Sequence, residues 1–355
     1  VQQDEKPRSE EEGRLWGRPS AWIGSVLLFV GLTAVGFTAV LAIFGGRIPS
    51  FDNRLVQPQT VAAILGFLIV YFLADGLRLY FVLRTIGARI RVHEIFPLVF
   101  INILVSNVTP LATGGGFAQV WYLRRHGVAV GASVAATTIR TVLAMLLIFI
   151  AAPLFQFLYP NASSEGVARI TTQSLSGIIL IYLAGFLIVL FRPFWIAALL
   201  SRVLAFATRI GLIGEQRHMR WTVAVQRETQ EFSASFARFA RGSRMFALAA
   251  VLATLLFLLT LFAFPALLLE VLGQEVDWLK VIGTLSVVTF LMYFAPTPGG
   301  AGFAELAFAG FMAGQVETDD LLLVLFAWRF LTIYVGMGIG VIVSVFAFRP
   351  KALAG

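Results

Sequence analysis

The sequence predicts an all-α polytopic membrane protein with six full transmembrane helices and two re-entrant helical hairpins, arranged as inverted-topology repeats. Three observations carry that expectation. The chain is 59% hydrophobic and 13% charged, with a mean hydropathy of +0.87, whereas soluble domains carry roughly a quarter charged residues. Several apolar stretches approach or exceed the roughly 20 residues needed to cross a ~30 Å hydrocarbon core. Two further apolar regions are broken by Pro- and Gly-rich runs that recur 186 residues apart.

Residues 1–20 are polar and mixed in charge, without the basic, apolar and small-residue segments of a signal peptide, and read as a disordered cytosolic tail. Residues 21–59 hold the first span, 22–44, and an external loop. Repeat 1 covers 60–158, with a span at 60–82, a hairpin at 94–125 and a span at 131–158. Residues 159–244 hold a linking span, 174–191, and a basic cytosolic segment. In that segment Trp221, Val225, Phe232, Phe236 and Phe239 with intervening arginines suit an amphipathic helix lying on anionic lipid or packed on the bundle. Repeat 2 covers 245–348, with a span at 245–269, a hairpin at 280–315 and a span at 321–348. Residues 349–355 form a second cytosolic tail.

The first hairpin is interrupted by Thr109-Pro110-Leu111-Ala112-Thr113-Gly114-Gly115-Gly116, the second by Pro296-Thr297-Pro298-Gly299-Gly300-Ala301-Gly302. Proline removes a backbone donor and glycine is a poor helix former, so each region reads as two short helices joined by non-helical backbone. Such backbone survives at membrane depth only where it is buried in protein or lines a cavity. Loop charge sets the sides. Loop 83–93 carries Arg84, Arg89 and Arg91, the turn after the first hairpin carries Arg124 and Arg125, and 192–244 holds nine arginines against three acids. Loops 270–280 and 315–320 are acidic. Basic loops stay cytosolic, and the arrangement closes if both hairpins return to the side they entered from. Both termini are then cytosolic and the chain lies in the cell (inner or plasma) membrane. Eight full spans, the alternative, would put one arginine-rich flank of the first hairpin outside.

The 186-residue offset aligns Gly87 with Gly273, Pro110 with Pro296, Gly114 with Gly300, Gly116 with Gly302, Phe117 with Phe303, and Gln119 with Glu305. Three residues further out of register, Arg140 meets Arg329. Three crossings separate the starts of the two copies, and an odd number inverts the second. Inverted repeats with interrupted helices recur in secondary transporters.

Arg140 and Arg329 each fall roughly 12–14 Å into a span, close to the middle of the hydrocarbon. A charge there needs a partner or a wet cavity. Two readings stand: an ion pair that locks helices, such as Arg329 with Glu305, or a pair of guanidiniums that binds a phosphate-like group bidentately. Gly114, Gly115, Gly116, Gly299, Gly300 and Gly302, with Pro110, Pro296, Pro298 and Thr113, place helix N-termini in the interior, where free N–H groups favour anions. The same glycines would also permit a tight turn. Glu305 is either an arginine partner or a proton carrier. Asn107 and Gln119 need partners, protein or substrate, and Asp75 and Arg78 are expected to satisfy each other across one helical turn.

The sequence has no cysteine, its three histidines lie in loops or near membrane edges, and no G-x-x-x-x-G-K-[ST] run exists. Thiol chemistry, an intramembrane metalloprotease or serine protease, and ATP hydrolysis therefore lack their parts. No metal or cofactor is expected, and the basic residues do not gather on a nucleic-acid face.

The Thr109-Pro110-x-x-Thr113-Gly114-Gly115 turn, Leu123-Arg124-Arg125, Arg140, the Pro296-x-Pro298-Gly299-Gly300-x-Gly302-x-x-Glu305 turn and Arg329 resemble the lysylphosphatidylglycerol synthase transmembrane region, the flippase-like family also called UPF0104. The resemblance covers nearly the whole chain after residue 20. It implies a polytopic lipid-handling protein, in the best-known case moving aminoacylated phosphatidylglycerol to the outer leaflet. The soluble aminoacyl-transfer domain is not in this sequence, so no enzyme activity is expected. The leading expectation is a lipid translocase that moves a lipid with a phosphate-bearing or otherwise polar headgroup between leaflets through a midplane site at the two Gly-rich hairpin turns, with membrane lipids as its partners. A non-transporting scaffold that presents lipid to a biosynthetic enzyme, an ion-coupled small-solute transporter, and a homo-oligomer stand beside it.

Overall fold

The computed structural model describes residues 49–109, 113–158, 236–293, 295 and 297–347, with scattered positions in 27–42 and 181–234. The tails, most of the first span, most of the linking span and most of the basic amphipathic segment therefore lie outside the described residues, as do Pro110, Pro296 and the side chain of Thr113. The described elements are helical: α1 Pro58–Thr85, α2 Val92–Val108, α3 Thr113–Arg125, α4 Val130–Leu158, α5 Arg244–Val271, α6 Trp278–Met292, α7 Phe303–Met312, α8 Thr318–Arg329 and α9 Val335–Ala347. A π-helical turn, Phe330–Tyr334, joins α8 to α9. Helix α1, α4 through Phe155, α5, and the continuous stretch Thr318–Val345 are long and apolar enough to cross a membrane, whereas α2, α6 and α7 are shorter apolar helices.

The 186-residue offset is visible in the helices themselves. Helices α1 and α5 are both 28 residues long and start at 58 and 244; α2 and α6 start at 92 and 278. Their ends are closed by the same bonds. The N–H groups of Ile86, Gly87 and Ala88 donate to Val82, Arg84 and Leu83, while those of Leu272, Gly273 and Gln274 donate to Leu268, Glu270 and Leu269. This pattern satisfies carbonyls that the last helical turn leaves without partners.

Among the described helices α1 and α5 share the most extensive contact and run antiparallel. At one end Phe81 and Arg84 of α1 meet Phe246 of α5. At the other, Arg54 before α1 lies against Gly273 after α5. The second end is the acidic one. There Asp277 caps α6 by accepting from the Lys280 N–H at 3.1 Å, and Gln274 donates to Asp320 at the start of α8. Asp52 also lies at this end, held below the usual carboxylate range by hydrogen bonds from Arg54.

The hairpin helices pack reciprocally: α2 of the first half against α9, and α6 of the second half against α4. Phe149 of α4 meets Phe290 of α6 edge-on at 5.0 Å. The α2–α9 contact depends on Gly336 and Gly340, one helical turn apart, which lie against Ile103 and Phe100 of α2, as small residues permit close backbone approach between helices in lipid. A Cβ on Gly340 would lie 2.5 Å from the Phe100 carbonyl oxygen, which is backbone and cannot rotate away, whereas a Cβ on Gly338 would meet nothing within 4 Å. Gly340→Ala should therefore cost about 1–3 kcal/mol. Gly338→Ala should be neutral or gain up to about 1 kcal/mol from helix propensity. Unfolding in micelles separates the two, and equal effects would contradict this packing.

Candidate functional site

Asp75 and Arg78 project from one face of α1, a turn apart. The Arg78 Nε donates to Asp75 Oδ1 at 2.7 Å, as the spacing predicts. What the spacing does not reveal is the third member. Arg140 from α4 donates through Nη2 to the same Asp75 oxygen at 2.6 Å, with all three residues buried. The Arg78 guanidinium also lies 3.8 Å from the Phe257 ring centroid, a cation–π contact from α5. Among the described residues the Arg140 Nε has no hydrogen-bond partner. Arg140 is ten residues into α4, a rise of about 15 Å, so the cluster sits near the midpoint of a bilayer-length helix.

The second cluster lies in the other half. Glu305, in the first turn of α7, accepts from the Arg329 Nε at 2.8 Å, and the two side chains are 0% and 2% exposed. Arg329 also donates through Nη2 to the Gly299 carbonyl at 3.3 Å, tying the hairpin turn to the final span. The turn is Pro298–Gly300 followed by Ala301 and Gly302. Gly299, Gly300 and Gly302 have φ of 59°, 66° and 81°, left-handed conformations that an L side chain adopts only with strain. The π-helical turn begins directly after Arg329, where sequence reading gives an uninterrupted span. Such turns concentrate at functional positions. Beside it, Trp328 packs on Phe308 at 5.4 Å, and among the described residues neither the Trp328 Nε1 nor the Glu305 Oε2 has a hydrogen-bond partner.

Tyr71 lies near both clusters. It stacks on Phe257, its counterpart 186 residues later, with centroids 5.0 Å apart and planes 20° from parallel. Tyr71 lies within the electrostatic field of Asp75, Arg78, Arg140 and Arg329. Tyr293, which caps the end of α6, lies in the field of Arg78 and Arg140.

The first hairpin differs from the expectation. Gly114, Gly115 and Gly116 belong to the first turn of helix α3, not to a loop. A Cβ on Gly114 would collide with Thr109 and Val105, and one on Gly115 with Ser106 and Asn102, so these two glycines bring α3 onto α2. A Cβ on Gly116 would meet open space. Gln119 is not turned to Arg140 as a counterpart of Glu305; it donates to Asn102 of α2, which also accepts from Ser106. Asn107 donates to the Ile103 carbonyl on its own helix. The Gly114 N–H already donates to the Thr109 hydroxyl. The structure thus assembles Asp75, Arg78, Arg140, Glu305, Arg329 and Gly299 into two buried clusters and leaves Gln119 and Asn107 bonded within the first hairpin. Among the described residues, no group of three or more His, Asp or Glu side chains converges to hold a metal.

Comparison with known proteins gives a consistent family. The chain is 23% identical over 282 residues to a UPF0104 membrane protein of Archaeoglobus fulgidus, covering 79% of this chain and 84% of that protein. The family model for the lysylphosphatidylglycerol synthase TM region matches residues 20–340. That match spans both hairpins and both buried arginine clusters, and this integral membrane protein belongs to the lysylphosphatidylglycerol synthase transmembrane-region family.

Proposed function

We propose that this protein is a lipid translocase, which moves a lipid with a phosphate-bearing or otherwise polar headgroup between leaflets through the region around Tyr71. In this reading six helices cross the membrane, each hairpin re-enters from its own side, and the two repeats have opposite topology with both termini cytosolic. The domain limits are those of the two repeats, 60–158 and 245–348. The chain moves lipid and does not synthesise it.

The observation that carries the proposal is the convergence of two buried arginine clusters, one from each half, about a stacked pair of equivalent aromatic residues. Cations at the centre of membrane helices are costly, and where they occur they mark substrate or ion pathways. Hydrocarbon also has a place to go. An apolar cavity of about 420 Å³, lined by Phe37, Leu41, Pro49, Phe51, Leu322, Leu323 and Phe326, runs beside α8, the helix that ends in Arg329.

Purified protein reconstituted in liposomes should transfer a fluorescent phospholipid between leaflets, read by dithionite quenching. Arg140→Ala and Arg329→Ala should each slow that transfer at least about tenfold, or roughly 1.4 kcal/mol in activation free energy. Failure to move any of several lipid classes, with both variants behaving as wild type, would sink the proposal.

A further inference from the structure

We infer that Glu305 is a proton-binding site and that its proton is the ion coupled to lipid transfer. The coupling rests on the lipid reading above, whereas the proton site is testable without any lipid. Glu305 is 0% exposed, yet only one of its two oxygens is engaged. Oε1 accepts from the Arg329 Nε at 2.8 Å, while among the described residues Oε2 has no donor. The guanidinium does not close on both oxygens, as the fork of a locking pair does. Its Nη2 goes instead to the Gly299 carbonyl at 3.3 Å. A buried carboxylate oxygen without a donor is costly, and a proton bound at Oε2 takes the bare charge off it.

Proton uptake changes the balance of the pair in a defined way. Hydronium gives its proton to Oε2, one O–H bond forms, water departs, and no other covalent bond changes. Glu305 is then neutral, and Arg329, which cannot shed its own proton, becomes an uncompensated ion only 2% exposed. Such an ion is unfavourable unless an anion joins it. A proton at Glu305 and an anionic group of the substrate at Arg329 therefore stabilise each other, and that linkage is reciprocal. The place of the acid gives the exchange a mechanical consequence. Glu305 stands on hairpin helix α7, and Arg329 ends α8 where the π-helical turn begins. The charge on Glu305 thus sets how firmly the second hairpin is held to the final span.

The site is peculiar to the second half. At the 186-residue offset Gln119 stands in place of Glu305, and an amide is not an acid. Asp75, the acid of the first half, accepts from two guanidiniums, so a proton there would leave both opposed. Around Glu305 the charged and titratable groups are few. The helices packed most extensively on α7 are α6 and α8. Helix α8 brings Arg329, with Asp319 and Asp320 in its first turn, and α6 brings Lys280 in its first turn and Tyr293 at its end. Tyr334 of the π-helical turn lies in the field of Glu305 and Arg329. Helix α2, which packs on the Pro298–Gly300 turn, carries His93 and Glu94 in its first turn. Among the described residues only Arg329 bonds the Glu305 carboxylate.

The test uses the full chain and two independent readouts. Dicyclohexylcarbodiimide adds to a protonated carboxyl group in an apolar setting and ends as an N-acylurea, with no leaving group, so peptide mass spectrometry reports the protonated acid. Labelling of Glu305 in micelles should rise as pH is lowered from about 8 to about 5, while Asp75 stays unlabelled. Arg329→Met should strengthen the Glu305 labelling at every pH. For the coupling, liposomes carrying acyl-NBD phosphatidylglycerol receive a pH difference of about one unit, with valinomycin and potassium holding the potential at zero. One proton per lipid shifts the leaflet ratio by up to about tenfold per pH unit relative to protein-free liposomes, read by dithionite quenching. Glu305→Gln should leave the ratio unmoved by the gradient, and Glu305→Asp, which keeps an acid, should retain the response. Circular dichroism checks folding. If Glu305→Gln does not fold, Glu305→Gln with Arg329→Met, which carries neither ion, takes its place. No labelling at any pH, or a gradient response that survives in the glutamine variant, overturns the proton site. Labelling with lipid moving but a ratio indifferent to the gradient overturns the coupling. Labelling with no lipid moved keeps the proton site and overturns the lipid reading.

Discussion

Replacing Asp75 with asparagine is expected to cost about 3–5 kcal/mol of stability, as breaking a buried pair does when a charge is left uncompensated. The effect is large because a single carboxylate oxygen, Oδ1, accepts from both Arg78 and Arg140 at 2.6–2.7 Å. The amide keeps an acceptor and the shape but removes the negative charge. Two guanidiniums then face each other across an apolar interior, and neither can shed its proton. Unfolding in a defined micelle, by heat or denaturant, measures the loss. Adding Arg78→Met to Asp75→Asn removes one of the two opposed charges and should recover about half of it, which makes the double-mutant cycle strongly non-additive. If Asp75→Asn unfolds within about 0.5 kcal/mol of the parent, the range of an ordinary surface substitution, the shared-acceptor account is wrong.

That prediction rests on a contact the sequence reveals only in part. Asp75 and Arg78 are three residues apart, and helical geometry alone brings them together. Arg140 is 65 residues from Asp75. Helical periodicity says which residues share a face but not which face of another helix meets it. A charge count would have helped: three arginines against two acids in the apolar stretches means that one acid serves two cations or one cation lacks a partner. The repeat was more legible, because glycine and proline punctuation repeats in register and the helix starts at 58 and 244 and at 92 and 278 follow it.

The glycines were legible as interruptions but not by role. Gly299, Gly300 and Gly302 make a left-handed turn, whereas Gly114 and Gly115 sit inside a helix and let a neighbouring helix approach. Both uses need a missing side chain, so residue identity cannot tell them apart. The π-helical turn at Phe330–Tyr334 has no proline to announce it. Its sequence, Phe-Leu-Thr-Ile-Tyr, reads as continuous span.

The Glu305–Arg329 pair gives the second large effect, and here the two partners are expected to differ. Glu305→Ala leaves Arg329, 2% exposed, without its carboxylate, and should cost about 3–5 kcal/mol. Arg329→Met leaves a carboxyl group that can take a proton and become neutral in place, a course closed to a guanidinium. It should therefore cost measurably less, even though it also removes the bond to the Gly299 carbonyl. Removing both charges in Glu305→Ala, Arg329→Met should bring stability back above that of Glu305→Ala alone, because no uncompensated ion remains. The Gly299 bond has its own signature. Amide hydrogen exchange around 298–302 should rise in Arg329→Met but less in Glu305→Ala, where Arg329 can still reach the turn. If the two single variants lose equal stability and expose the turn equally, the pair acts as one rigid clasp. The tie between the final span and the second hairpin would then belong to the ion pair and not to Arg329 itself.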